Sequence, residues 1–221
     1  MTRLTTFLFF ILFSTILVKA QDNTYNNKGL VVSKGRIQDG GGYNLLTDYS
    51  AKIKILNKEG YHKAEIEIFL YRDKSDKEKL RKLVAHTYNL VNGEIKKTEV
   101  EETNIYEEKY NENYTIIKFA FPNIKPGSVI SYSYRLESPF IYKFNGWDFQ
   151  DDIPKMYSEY IADTPGNYLY NIKLIGSLKL STNESSIIKR CIEVSGGGSA
   201  DCAHNIYAMK DIPAFKEEEY I

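Results

Sequence analysis

The run Val129-Ile130-Ser131-Tyr132-Ser133-Tyr134-Arg135-Leu136 alternates without a break. In an extended chain Ile130, Tyr132, Tyr134 and Leu136 share one face, while Ser131, Ser133 and Arg135 share the other. A strand with one side on a core and one side in water is therefore predicted. Residues 64–71 repeat the pattern, with Ala64, Ile66, Ile68 and Leu70 on one side and Glu65, Glu67, Phe69 and Tyr71 on the other. Between these two runs, residues 83–90 are extended and Asn92-Gly93 separates them from residues 94–100. An Asn-Gly pair supplies the positive backbone angles of a tight turn, so an antiparallel hairpin is expected there. Residues 29–37, 114–121, 157–161, 168–175 and 178–181 read as further strands. Gly40-Gly41-Gly42, Pro126-Gly127, Pro165-Gly166 and Gly176 read as breaks between them.

Two stretches break the alternation. Residues 72–82 carry nine charges in eleven positions and are expected to form a solvated loop or one short helix. Residues 99–112, acidic and tyrosine-bearing, are expected to be a loop with a helical turn. No long amphipathic helix follows the leader. The pattern as a whole predicts an all-β, antiparallel β-sandwich-like domain with long loops.

Hydrophobic residues make up 43% of the 221-residue chain and aromatic residues 14%, enough for a single core. Tyrosine (18) and phenylalanine (11) far outnumber methionine (3), as suits half-buried pleated surfaces. The 29 basic residues balance the 29 acidic ones, which leaves no electrostatic footprint for nucleic acid. Residues 1–20 read as a helical signal peptide: Arg3 gives the positive end, residues 4–18 are mostly apolar, and Val18-Lys19-Ala20 ends in a small residue. Export to the periplasm, cell surface or medium is expected, with no membrane attachment after cleavage. Residues 21–28 form a polar lead-in, residues 29–210 the sandwich domain, and residues 211–221 a boundary toward a further domain.

Cys191 and Cys202 flank a glycine-rich segment and are expected to form one disulfide at the feet of a hairpin. That pairing competes with a Cys202–His204 dyad and with a zinc site of Cys191, Cys202 and His204, which lacks a fourth ligand. His62 and His86 read as structural or surface residues. The triple glycine lacks the spacing of a phosphate loop. Asn145-Gly-Trp-Asp-Phe-Gln-Asp-Asp-Ile-Pro154 holds the only tryptophan and the one carboxylate cluster of chemical interest. Trp147, Asp148, Gln150, Asp151 and Asp152 form a candidate contact patch. Asp148, Asp151 and Asp152 also suit a hydrolase pair or an oxygen-ligand calcium loop in residue type, but not in spacing. The favoured reading is a structural corner, with Trp147 and Phe149 in the core and the aspartates capping a turn. No catalytic residue, metal or cofactor is assigned.

The ordered set Ala85-His86-Thr87-Tyr88-Asn89, Phe119-Ala120-Phe121-Pro122, Lys125-Pro126-Gly127-Ser128, Trp147-Asp148-Phe149-Gln150, Ile153-Pro154 and Ile212-Pro213-Ala214-Phe215 resembles one family. It is similar to domain of unknown function 3857, the N-terminal β-rich domain of exported bacterial proteins that carry a transglutaminase-like domain behind it. The resemblance covers about residues 52–221. It implies a non-catalytic accessory module whose partner is that downstream domain or another polypeptide. The Cys, His and Asp of the downstream domain have no counterparts in this chain. Two alternatives stand beside it: a glycan- or envelope-binding protein, and a hydrolase using Asp148, Asp151 and Asp152.

Overall fold

A computed structural model describes residues 29–40, 44–74, 76–166, 170–193 and 197–215. The signal peptide, the lead-in, Gly41 and Gly42, Gly196 and residues 216–221 of the boundary lie outside the described residues.

Twelve strands are formed among them: β1 (Gly29–Asp39), β2 (Leu45–Ile55), β3 (Glu65–Asp73), β4 (Asp76–Lys77), β5 (Lys79–Val91), β6 (Glu94–Glu99), β7 (Ile105–Lys109), β8 (Tyr114–Ala120), β9 (Val129–Ser138), β10 (Lys155–Pro165), β11 (Thr182–Glu193) and β12 (Ser199–Ile212). The large sheet runs β11-β12-β10-β1-β2-β9-β5-β6 and the small one β4-β3-β8-β7. The fold is all-β, as the alternation predicts. Its ladders are antiparallel except one, since β1 and β10 pair in parallel. The hairpin at Asn92-Gly93 is present, with φ of 52° and 83° at the two turn residues.

The core forms where the small sheet covers the large one. Ile53 of β2, Ala85 of β5 and Ile130 of β9 meet Ile68 and Leu70 of β3 and Ile117 and Phe119 of β8. Along β9, Ile130 and Leu136 are buried, Tyr132 and Tyr134 pack against them, and Ser133 is exposed. No residue of β10, β11 or β12 belongs to this core among the described residues. The inner face of those three strands is instead flanked by irregular chain: residues 139–154 before β10 and residues 170–181 before β11. Because β10 and β11 both run antiparallel to β12, the connection between them must return along the length of the sheet.

Three expectations are corrected. Residues 72–82 are neither loop nor helix but the end of β3, all of β4 and the start of β5. A bulge between Arg81 and Val84, with Lys82 at φ 53°, shifts the parity and hides the alternation. Residues 99–112 contain the helical turn (Glu102–Asn104) but also the edge strand β7. The described part of 168–175 and all of 178–181 are not strand, whereas β11 follows immediately. The apolar side chains are present there, but no neighbouring backbone is.

Candidate functional site

One row of register partners crosses the inner face of the large sheet: Tyr207 faces Tyr160, Tyr160 faces Gly35, Gly35 faces Tyr49, and Tyr49 faces Tyr134. The glycine leaves a notch in a line of tyrosines. Trp147 lies over that notch. A Cβ built on Gly35 would meet the indole Cζ3 at 2.2 Å. The ring stacks on Tyr160 (centroids 5.6 Å apart, planes at 13°) and tilts against Tyr49 at 5.6 Å. Its Nε1 donates to Ser158 Oγ at 2.9 Å, and that hydroxyl lies 3.1 Å from Ser33 Oγ.

Further bonds hold the loop around the indole. Tyr160 donates its phenol hydrogen to the Asn145 carbonyl at 2.7 Å, and Lys155 Nζ donates to the Asp148 carbonyl at 2.9 Å. Burial pulls the Lys155 pKa down, against the opposing pull of Asp151 and Asp148. Burial likewise raises the phenols of Tyr49, Tyr132, Tyr134 and Tyr160 above their ordinary value.

The aspartates do not act as one cluster. Lys63 Nζ reaches Asp151 Oδ1 at 2.7 Å and also pairs with Asp152. His62 Nε2 lies 2.8 Å from Asp152 Oδ2, while its Nδ1 lies 2.7 Å from the Glu59 carbonyl oxygen. Partial burial tends to raise the Asp152 pKa, but hydrogen bonds with Asp151, Lys63 and His62 outweigh it and hold the carboxyl well below the usual range. The pair thus buckles the tryptophan loop to the segment joining β2 and β3. Asp148 stands apart, exposed and without a side-chain hydrogen bond or ion pair among the described residues, though its charge acts on Lys155. The last described stretch is fastened here too: Phe215 N–H donates to the Asp151 carbonyl at 2.7 Å, and Gln150 Nε2 to the Pro213 carbonyl at 3.3 Å.

Between this loop, residues 170–180 and the floor of β10, β12 and β11 lies a groove of about 1400 Å³. All five residues of the predicted contact patch line it. Trp147 and Phe149 are half-buried beside the groove rather than members of the sandwich core, which corrects one half of the corner reading. In the other half, Asp151 does cap locally, accepting from the Asp152 N–H at 2.8 Å, but its stronger partner is Lys63. Sequence reasoning missed Gly35, Tyr49, Tyr160 and the 170–180 wall. A glycine inside an otherwise regular strand pattern was the available signal, since it marks close approach by another group.

The two cysteines are bonded to each other, with Cα atoms 5.7 Å apart, so neither is a free thiol. His204 faces Asp163 instead, Nδ1 to Oδ1 at 2.5 Å, and Arg36 completes that cluster. Among the described residues no three His, Cys, Asp or Glu side chains converge on a metal position, and no helix is long and apolar enough to cross a membrane.

Residues 46–189 match the family model of DUF3857, a domain of unknown function. The chain belongs to this family. No protein with a curated description matches it. A solved structure of a candidate protease from Parabacteroides distasonis is similar to this DUF3857 chain, with a TM-score of 0.58 and 9% identity over 86% of the chain. At that identity the likeness concerns the fold alone. The match occupies 37% of the longer protein.

Proposed function

We propose that this DUF3857 chain is a non-catalytic accessory module of an exported protein, and that its groove docks a neighbouring transglutaminase-like domain or another polypeptide. The groove's rim carries the reading. Tyr142, Ile175 and Phe215 are 74%, 83% and 59% exposed there, an apolar concentration that protein contacts cover. The groups around it that suggest chemistry are engaged structurally. Asp151 and Asp152 are held by Lys63 and His62, and the cysteines are in a disulfide. That disulfide also supports an oxidising compartment.

The aromatic lining gives a glycan reading some footing. It is weaker because the best sugar platform, the Trp147 ring, is already stacked on Tyr160 and seated on Gly35.

The test is calorimetric titration of the purified chain with a transglutaminase-like domain of the kind that follows this family. A saturable complex that Ile175→Asp and Phe215→Asp each weaken at least tenfold is expected. Hydrolysis of peptide or glycan substrates by the purified chain, abolished by Asp151→Ala, would overturn the non-catalytic assignment.

A further inference from the structure

The connection between β10 and β11 is unlike an ordinary surface loop. Residues 171–180 read Asn-Ile-Lys-Leu-Ile-Gly-Ser-Leu-Lys-Leu, so half the positions are Ile or Leu. Ile172 and Leu174 are 58% and 46% exposed, and Ile175 more so. Connections that run over a surface are usually polar, because nothing covers them. Backbone pairing is absent as well: residues 171–180 make no backbone–backbone hydrogen bond among the described residues, and pairing resumes only when Ser181 N–H donates to the Ala208 carbonyl. This is the composition of a strand beside the open backbone of an unpaired edge.

Only part of the floor opposite is open: the Trp147 ring stacks on Tyr160, and Ala162 belongs to a second buried cluster with Ile37 and Leu45. Tyr160 and Tyr207 face each other across β10 and β12, and Ala162 and Met209 lie buried beside them. At about 1400 Å³ the groove exceeds the ~300–1,000 Å³ of an ordinary small-molecule pocket. Its lining carries one carboxylate outside any ion pair, Asp148, whose charge also acts on the buried Lys155, and one ammonium, Lys173.

Resting on the docking reading above, we propose that the groove's occupant is an extended polypeptide segment. It pairs with the exposed backbone of residues 171–180, packs alternate apolar side chains against Ile172, Leu174, Ile175 and the part-exposed Tyr207, and sets a Lys or Arg against Asp148. Solvent-exposed backbone amides without a protein partner, beside exposed aliphatic side chains, are complementary to a β-strand guest, whose affinity comes from main-chain bonds and whose specificity comes from alternate side chains. A sugar can bond the amides but brings no row of apolar side chains to cover the aliphatic wall.

The experiment is panning of a displayed random dodecapeptide library against the immobilised chain, followed by fluorescence anisotropy of the selected peptides. The expected sequences alternate apolar residues and carry one Lys or Arg. Their affinity should fall at least tenfold with Ile175→Asp, and with Asp148→Asn for wild-type peptide but not for peptide whose basic residue is replaced. Methylating the guest's amides at alternate positions should abolish binding in one parity and spare it in the other. Ile175 is exposed, and the fluorescence of the single tryptophan reports whether the variant remains folded. Three results would overturn the proposal: no enriched peptide, enriched peptides that ignore both variants, or groove-dependent binding of an oligosaccharide array in place of peptides. If the transglutaminase-like domain still binds through Ile175 while no peptide is selected, the docking reading stands and the extended guest falls. If neither binds, both fall.

Discussion

Gly35 is glycine because the Trp147 indole occupies the space where a Cβ would stand. A glycine within the β1 pattern signals close approach but not by what, and the constraint arrives from a loop far along the chain. Gly35→Ala must push the indole off its seat between Tyr49 and Tyr160, and overpacking of this kind costs about 1–3 kcal/mol. Urea unfolding followed by the emission of the single tryptophan should show a lower midpoint for the variant, together with a shifted native spectrum. An unchanged midpoint and spectrum would mean that the ring does not sit as described. The aspartates teach a related lesson. Asp151 and Asp152 invite a catalytic or calcium-binding reading as residue types, but Lys63 and His62, which hold them, sit between β2 and β3, where no spacing rule could connect them.

Among the elements, β11 and β12 form the outer hairpin of the large sheet, and Cys191–Cys202 joins them across a separation of 11 residues. β11 is a sheet edge with mostly exposed side chains, and its hairpin lacks the cover that β3 and β8 give to β9. Closing a loop of this length should contribute about 3 kcal/mol in the chain-entropy account. Cys191→Ser/Cys202→Ser is therefore expected to lose that much in chemical denaturation, and hydrogen exchange should rise first in residues 182–212. Uniform loss of protection across both sheets would instead mean that the hairpin unfolds only with the whole domain. The elements that alternation failed to reveal share one cause. β7 is an edge strand of mostly exposed residues, held by its ladder to β8 rather than by burial, and the bulge at Lys82 inverts the phase of β5 partway along.

Across the molecule, the eighteen tyrosines do more than fill surface. Burial raises the pKa values of Tyr132, Tyr134 and Tyr160. Tyr157 is pushed up to about 12 by burial first and then by its bond to Glu159. A phenol whose folded value lies above its unfolded one contributes stability that is fully present below about pH 10 and is lost as pH rises toward the folded value. The domain should accordingly unfold cooperatively in alkali, with tyrosinate absorbance appearing in the same step that removes the strand signal in far-ultraviolet dichroism. Smooth ionisation of all the tyrosines near their ordinary value, with the fold intact, would contradict this.

The alternation of residues 64–71 and 129–136 and the Asn92-Gly93 turn were enough to specify an all-β fold and one hairpin. Side-chain period and turn chemistry are local properties that survive any arrangement of the remaining strands. The likeness to DUF3857 was legible for a similar reason, because an ordered series of short motifs needs no coordinates. Beyond that hairpin, pairing partners were not legible. The parallel β1–β10 ladder, the seat of Trp147 on Gly35, the Lys63 and His62 buckle and the unpaired wall at 171–180 all depend on which distant backbones become neighbours. That choice is made by burial summed over two sheets rather than by any one segment. The same apolar alternation therefore became a core strand at 129–136, where β2 and β5 lie alongside, and remained open chain at 171–180, where no strand does.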